Sequence, residues 1–317
     1  VIRRMLAAGN SLFTGRAIRA AAEAGHVCPY ELSLDLSEYC ELIICDYNYV
    51  FSPTARLRRY FGDSEPAGRY VFLVDEAHNL PDRVREMYSG GLSLAAVRGI
   101  RESFLRFEQE GREKYLFPDE DLPVRGEELT AAALEDVIGA LSQMAALCAG
   151  TAVTGADGVR RGAALDRTCP DELIAAADAL SRLCARWIRN NPEHPLGEPA
   201  AALFRMLREL LTAASYYDRG YVTYVEAVGE DVTVRLVCLD PAPILRPLLH
   251  RAVARVLFSA TLTPTEYFAD ILGGGADSVQ AMFGSPFPPE NLCISVADQL
   301  STRFGDRDKT CRAVVSY

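Results

Sequence analysis

Apolar residues recur at helical spacing through residues 1–24, where Ile2, Leu6, Leu12, Ile18 and Ala21 fall among good helix formers until Gly25 ends the run. After Cys28-Pro29, residues 30–39 again favour helix, and residues 41–45 (Glu-Leu-Ile-Ile-Cys) predict a short strand buried on both faces, ended by Asp46. A second apolar segment at 70–74 (Tyr-Val-Phe-Leu-Val) runs directly into Asp75 and Glu76. A third at 253–258 (Val-Ala-Arg-Val-Leu-Phe) runs into Ser259-Ala260-Thr261-Leu262, then Pro264 and a predicted helix over 266–272 closed by three glycines. Strand, polar turn and helix thus recur three times, the pattern of a doubly wound α/β domain in which a parallel sheet carries helices on both faces.

Between the second and third strands the pattern changes. Residues 132–148, 171–190 and 198–217 have helical periodicity and are separated by Gly-rich or Pro-rich breaks, which predicts an inserted helical domain. Two β-rich segments, 221–228 and 232–239, flank Gly229-Glu230-Asp231 and read as a hairpin that returns the chain to the α/β core. No internal repeat or low-complexity tract is present, so solenoid and propeller architectures are set aside.

Composition narrows the class. At 317 residues, with 49% hydrophobic and 24% charged residues, the chain is long enough for two or more folding units and apolar enough to bury a core. A net charge of -10 argues against a uniformly basic surface wrapped around nucleic-acid phosphates, although local patches are compatible with it. Lys114 and Lys309 are the only lysines; arginine suits bidentate phosphate contacts, and a base-composition bias accounts for the preference equally well. Nine cysteines, an odd number without a regular framework, point away from a disulfide scaffold and towards a reducing, cytoplasmic setting. No run approaches the roughly 18 uncharged apolar residues of a membrane span, and the start, with Arg3 and Arg4, has no cleavable signal pattern.

The chemistry concentrates after the second strand. Hydrolysis of a nucleoside triphosphate needs a carboxylate that holds magnesium through its water shell and a base that orients the attacking water. Asp75 and Glu76 fit these two roles, and His78 stands where an imidazole relays the state of the phosphate to a neighbouring segment. An Asp-Glu pair also simply begins helices, where acids favour the positive end of the dipole. Ser259 and Thr261 after the third strand are small hydroxyl residues able to reach acids and His across a narrow gap; Ser-x-Thr is equally a helix-capping pattern.

Four stretches together resemble the XPD/DinG-like helicases of superfamily 2: Val-Asp-Glu-Ala-His-Asn-Leu at 74–80, Cys-Asp-Tyr-Asn-Tyr-Val-Phe-Ser-Pro at 45–53, Cys-Leu-Asp-Pro at 238–241 and Phe-Ser-Ala-Thr-Leu-Thr-Pro at 258–264. The long separation of the DEAH and Ser-Ala-Thr motifs is similar to that group, which carries a helical arch between them. The resemblance implies a RecA-like helicase motor domain with an inserted helical arch domain. It divides the chain into an iron-sulfur remnant (1–40), motor domain 1 (41–92 and 218–275), the arch (93–217) and the start of motor domain 2 (276–317). It further implies ATP with magnesium, held through Asp75, and turnover dependent on Glu76 and His78, coupled through Ser259 and Thr261. Single-stranded DNA is the implied partner, engaged 5′ to 3′ in DNA repair at the nucleoid, with Asn48 and Tyr49 as contacts.

A [4Fe-4S] cluster is also implied by the resemblance, with Cys28 in its Cys-Pro-Tyr context matching the last of four ligands; the other ligands are expected upstream, and a lone buried thiol is the alternative. Cys45 is expected as a buried structural thiol. Arg182, Arg186, Trp187 and Arg189 are candidate arch contacts for DNA, with core packing for Trp187 and a solvated face for the arginines as the favoured alternative. The chain departs from the family in lacking a G-x-x-x-x-G-K-S/T phosphate loop and the arginine-bearing motifs of a second motor domain, so by itself it is expected not to hydrolyse ATP. An excerpt of a longer protein accounts for both gaps. The rival expectation is a non-catalytic nucleic-acid-binding module that keeps the helicase fold.

Overall fold

A computed structural model describes residues 1–9, 11–62, 70–114, 129, 131–275, 278–297, 300–301, 303, 305 and 310–311, with backbone alone at 110–114. It divides into a large unit, Val1–Ala276, and a small one, Asp277–Tyr317. In the small unit the described residues include a 3₁₀ turn, Pro289–Asn291. The expected start of a second motor domain falls here, partly outside the described residues.

The large unit opens with α1 (Ile2–Ala7) and α2 (Gly15–Gly25), so the helix expected over 1–24 is two helices. Thr14 caps α2 by accepting from the Ala17 amide at 3.3 Å, and His26, left-handed at φ 51, ends it one residue after the predicted Gly25. Then come α3 (Pro29–Ser37), with proline at its first position, and the short α4 (Asn48–Phe51) and α5 (Arg58–Phe61). α2 packs on α3, and their buried residues, Ala22, Leu32 and Leu36, lie outside the main core.

β1 (Val71–Val74) leads through a 3₁₀ turn, Ala77–Asn79, into α6 (Leu80–Met87), then β2 (Gly90–Ser93) and α7 (Leu94–Lys114). Next are α8 (Glu135–Met144), β3 (Val153–Thr154), β4 (Arg160–Asp166), α9 (Asp171–Asn190) and α10 (Gly197–Ser215). The hairpin β5 (Tyr221–Val228) and β6 (Asp231–Cys238), then α11 (Ala242–Leu249), β7 (Ala254–Leu257) and α12 (Thr265–Ile271) complete the unit.

The fold is mixed α/β, with two sheets among the described residues. β1 and β7 pair in parallel, Val71 opposite Ala254 through Val74 opposite Leu257. The second sheet is antiparallel in the order β2-β6-β5-β4-β3. Its hairpin turns at Gly229, where φ is 61 at the first of two central residues, a conformation glycine adopts without steric cost.

Two expectations are corrected. Residues 41–45 form no strand: Leu42 and Ile44 are 71% and 90% exposed and Cys45 is exposed rather than buried. A short apolar segment becomes a strand only against a ladder partner, and among the described residues β1 and β7 pair only with each other. For the same reason β1 is buried on one face, through Phe72 and Val74, while Val71 and Leu73 stay exposed. The insertion is likewise not purely helical. Its helices stand where periodicity places them, but the predicted hairpin joins β2, β3 and β4 in the antiparallel sheet on which α10 packs.

That packing has a sequence basis. Ala200, Leu203, Leu207, Leu210 and Ala213 recur every three or four residues along α10 and are all fully buried, each leucine contributing about 1.5–3 kcal/mol. Gly90 lets the helix backbone approach β2, because a Cβ there would lie 2.4 Å from the Glu209 carbonyl carbon and oxygen. Trp187 on α9 packs edge-on against Phe104 (5.5 Å between centroids) and His194 (4.8 Å), and the Leu196 amide donates to His194 Nδ1 at 3.1 Å. This half-buried tryptophan is therefore packing, and Arg182 pairs with Asp178 one turn away at 2.5 Å.

Gly90→Ala is expected to cost about 1–3 kcal/mol, since backbone rather than a flexible side chain must move; an unchanged urea midpoint would contradict the close approach. Burial pushes the His194 pKa below the usual 6.5, so the folded state binds its proton less readily than the unfolded chain. Stability from the neutral ring is then complete above pH 6.5 and declines as pH falls through the lowered folded value. Unfolding followed by fluorescence of Trp187, the sole tryptophan, should show this decline, and His194→Gln should flatten it. Equal pH slopes in both proteins would refute the assignment.

Candidate functional site

Backbone hydrogen bonds extend the β1–β7 ladder past both strands. The Phe258 amide donates to the Val74 carbonyl at 3.0 Å, and the Ala77 amide donates to the Phe258 carbonyl at 3.1 Å. These bonds bring the Asp75-Glu76-Ala77-His78 turn against Ser259-Ala260-Thr261, as the two motifs lead one to expect.

Side chains complete the join. The Ser259 hydroxyl donates to Glu76 Oε2 at 3.1 Å and lies 2.7 Å from His78 Nδ1, while that nitrogen is 3.2 Å from the same carboxylate oxygen. With its one proton directed to Glu76, the serine oxygen accepts from Nδ1–H, which selects the Nδ1-protonated ring. It also accepts from the Thr261 amide at 3.2 Å, and the Thr261 hydroxyl lies 3.4 Å away. Ser259 is thus a three-way node, and Thr261 acts on it from its own turn.

Glu76 is one of two non-glycine described residues with positive φ, at φ 47 and ψ 42. The left-handed conformation costs a residue with a Cβ about 1–2 kcal/mol. Two features hold it. Asp75 Oδ1 accepts from the Glu76 amide at 2.8 Å, and the Tyr47 hydroxyl, which also bonds the Asp75 carbonyl, donates to the Glu76 carbonyl at 3.0 Å. Such a bond contributes about 0.5–1.5 kcal/mol net, enough to offset much of the conformational cost. Burial, followed by the nearby carboxylates of Asp75 and Glu76, raises the Tyr47 pKa, so the phenol keeps its proton. A cleft of about 410 Å³ opens beside it, lined by Asp46, Tyr47, Asn79, Asp82 and Arg83.

Tyr47 was not among the sequence candidates. Its only signal was its place in the Asp-Tyr-Asn-Tyr stretch, where the neighbouring Asn48 and Tyr49 drew attention instead. Asn48 is exposed at the start of α4, its amide bonded to Asp46 Oδ1 at 2.9 Å, and Tyr49 is half-buried with its carbonyl accepting from Leu57. Neither is hydrogen-bonded to the DEAH turn in the way Tyr47 is.

The implied cofactors fit unequally. Asp75 and Glu76 are exposed at the strand's end, and magnesium needs only one or two protein carboxylates besides water and phosphate oxygens, so the donor set suits it. An iron-sulfur cluster needs four thiolates. Cys28 is an exposed thiol preceding α3, and among the described residues no three His, Cys, Asp or Glu side chains converge as a metal site. Cys28 would be one ligand of four. No helix among the described residues is long and apolar enough to cross a membrane.

Ser259→Ala is expected to cost about 1 kcal/mol and to move the ¹⁵N resonance of His78 Nδ1, which loses its acceptor. An unmoved resonance would show that the bond is not made.

Comparison with known proteins adds sequence kinship. Residues 6–97 match the DEAD_2 family model, a stretch that contains the DEAH turn and Tyr47. The chain is 38% identical over 71 residues to "Regulator of telomere elongation helicase 1 homolog" of Caenorhabditis briggsae, covering 22% of this chain and 7% of that protein. It is 30% identical over 106 residues to "ATP-dependent DNA helicase CHL1" of Vanderwaltozyma polyspora, covering 31% of this chain and 12% of that protein. A solved structure titled "XPD_Helicase" aligns with 82% of this chain and 39% of its own, at 14% identity and a TM-score of 0.44. Residues 6–97 are therefore similar to the DEAD_2 family, and the chain spans only a small part of the length of the two helicase relatives it matches.

Proposed function

We propose that this chain is part of an ATP-dependent DNA helicase that couples ATP hydrolysis to 5′ to 3′ movement on single-stranded DNA and to duplex unwinding in DNA repair. The observation that carries this proposal is the Glu76–Ser259–His78 network, in which a carboxylate at the end of one parallel strand is bonded to a hydroxyl at the end of its neighbour. The helicase names of the two relatives support it.

In this proposal Glu76 accepts a proton from, and orients, the water that attacks the terminal phosphate. The Ser259 hydroxyl fixes one carboxylate oxygen, which leaves the other for the water. Asp75 would hold magnesium, which when bound neutralises charge on the β- and γ-phosphates. When the substrate's charge changes, the Glu76 carboxylate rebalances its bond to Ser259, and His78 and Thr261 on the same hydroxyl feel that change. The DNA strand would run near Asn48 and Tyr49, where an exposed amide and an aromatic ring suit sequence-independent contact. The phosphate-binding loop that this chemistry needs is not in the 317 residues and would come from elsewhere in the complete protein.

Glu76→Gln in the complete protein should lower DNA-stimulated ATP turnover by about 10²–10⁴-fold, the usual contribution of a positioned base, with ATP binding kept. Unchanged turnover would remove Glu76 from the chemistry and with it this account of the site.

A further inference from the structure

Two successive carbonyls, those of Asp75 and Glu76, converge on one phenolic hydroxyl, which the helical, here left-handed, backbone angles at Glu76 (φ 47, ψ 42) permit. In an extended strand they would alternate. The Glu76 carbonyl also accepts from the Asn79 amide at 2.9 Å, so the 3₁₀ turn carrying His78 is closed on the same oxygen. Tyr47 itself is held from behind. Its ring meets Phe51 edge-on at 6.4 Å between centroids, and its carbonyl accepts from the Phe51 amide at 2.8 Å. Phe51 is in turn buried, and its carbonyl accepts from the Tyr88 hydroxyl at 2.9 Å.

We infer that Tyr47 is a positioning residue for the nucleotide chemistry: its hydroxyl locks the Asp75-Glu76 peptide in the left-handed turn and so aims the Glu76 carboxylate at the attacking water. This rests on the hydrolytic role proposed for Glu76. In this role the hydroxyl acts on the two carbonyls rather than on the substrate. Its influence passes through the backbone, so its loss should leave nucleotide binding in place and slow the chemical step.

The test compares wild type, Tyr47→Phe and Glu76→Gln in the complete protein, with single-stranded DNA and ATP. Tyr47→Phe keeps the ring against Phe51 and removes only the oxygen. Its kcat should fall about tenfold, the effect of one lost hydrogen bond expressed in the transition state, while the KM for ATP stays within about twofold. Amide hydrogen exchange should rise in the peptide spanning Asp75 to Asn79 and stay unchanged in the antiparallel sheet. That second measurement decides the matter even if the variant's turnover cannot be measured. A Tyr47→Phe protein with wild-type kcat and exchange, beside an inactive Glu76→Gln, would overturn the inference while leaving the function proposal standing. Loss of protection throughout the chain would overturn it too, since the role would be general stability. Full turnover in Glu76→Gln would instead sink the proposal on which it rests.

Discussion

The structure depends on one pairing, the parallel alignment of β1 with β7, residues that are neighbours in the sheet though about half the chain separates them. A parallel pair cannot be closed by a tight turn; it needs a crossover. Here the crossover carries an antiparallel sheet and four of the longer helices before it returns. Loop-closure entropy grows only as the logarithm of length, so a large insertion is thermodynamically tolerable provided that it folds on its own contacts. The buried series on α9 and α10, which pack on each other, and the sheet under α10 supply many such contacts. What the pairing delivers is two strand ends side by side, each followed by polar residues, which is why a carboxylate and a hydroxyl 183 positions apart meet at 3.1 Å.

At that junction the local rules of the chain are broken in favour of the site. Glutamate is a poor choice for a left-handed backbone, and nothing in the packing of β1 requires it. The strain is held by two neighbouring groups, the Asp75 carboxylate and the Tyr47 phenol. Strained non-glycine residues gather where a side chain must be aimed rather than merely buried. The node at Ser259 follows the same logic: its oxygen accepts from two donors and gives to a third, so none of the three groups can turn without disturbing the others.

How far the sequence discloses this varies with the physics involved. Helices α9 and α10 are legible because their burial is periodic and self-contained, and α9 begins and ends where its pattern does. The hairpin at Gly229 is legible from its turn glycine, but its destination is not, since pairing with β2 and β4 depends on edges that no local pattern announces. Residues 41–45 mislead for the complementary reason. Their composition suits a buried strand, yet a strand exists only where a partner supplies hydrogen bonds, and composition cannot report the partner. In the site, Glu76, His78, Ser259 and Thr261 are recoverable because their side-chain chemistry is distinctive. Tyr47 is not, because its hydroxyl acts on backbone carbonyls, and any of several tyrosines nearby has the same chemistry.

The helix that follows the DEAH turn ties the site to the insertion mechanically. α6 starts two residues after His78, with Leu80 and Val84 fully buried, and its far end is stitched to the returning hairpin. Arg85 Nε donates to the Leu239 carbonyl at 2.9 Å, the Cys238 amide donates to Ser89 Oγ at 2.9 Å, and the buried Tyr221 hydroxyl donates to the Tyr88 carbonyl at 3.2 Å. Departure and return of the insertion are therefore joined at the same helix that begins at the site. Tyr88 closes the circuit, since its hydroxyl reaches the Phe51 carbonyl and Phe51 supports Tyr47. A close-packed interior transmits displacement rather than absorbing it. A shift of the Glu76 turn consequently has two rigid routes out, one across Ser259 into β7 and one along α6 into the antiparallel sheet, and the position of Tyr47 is set by the second.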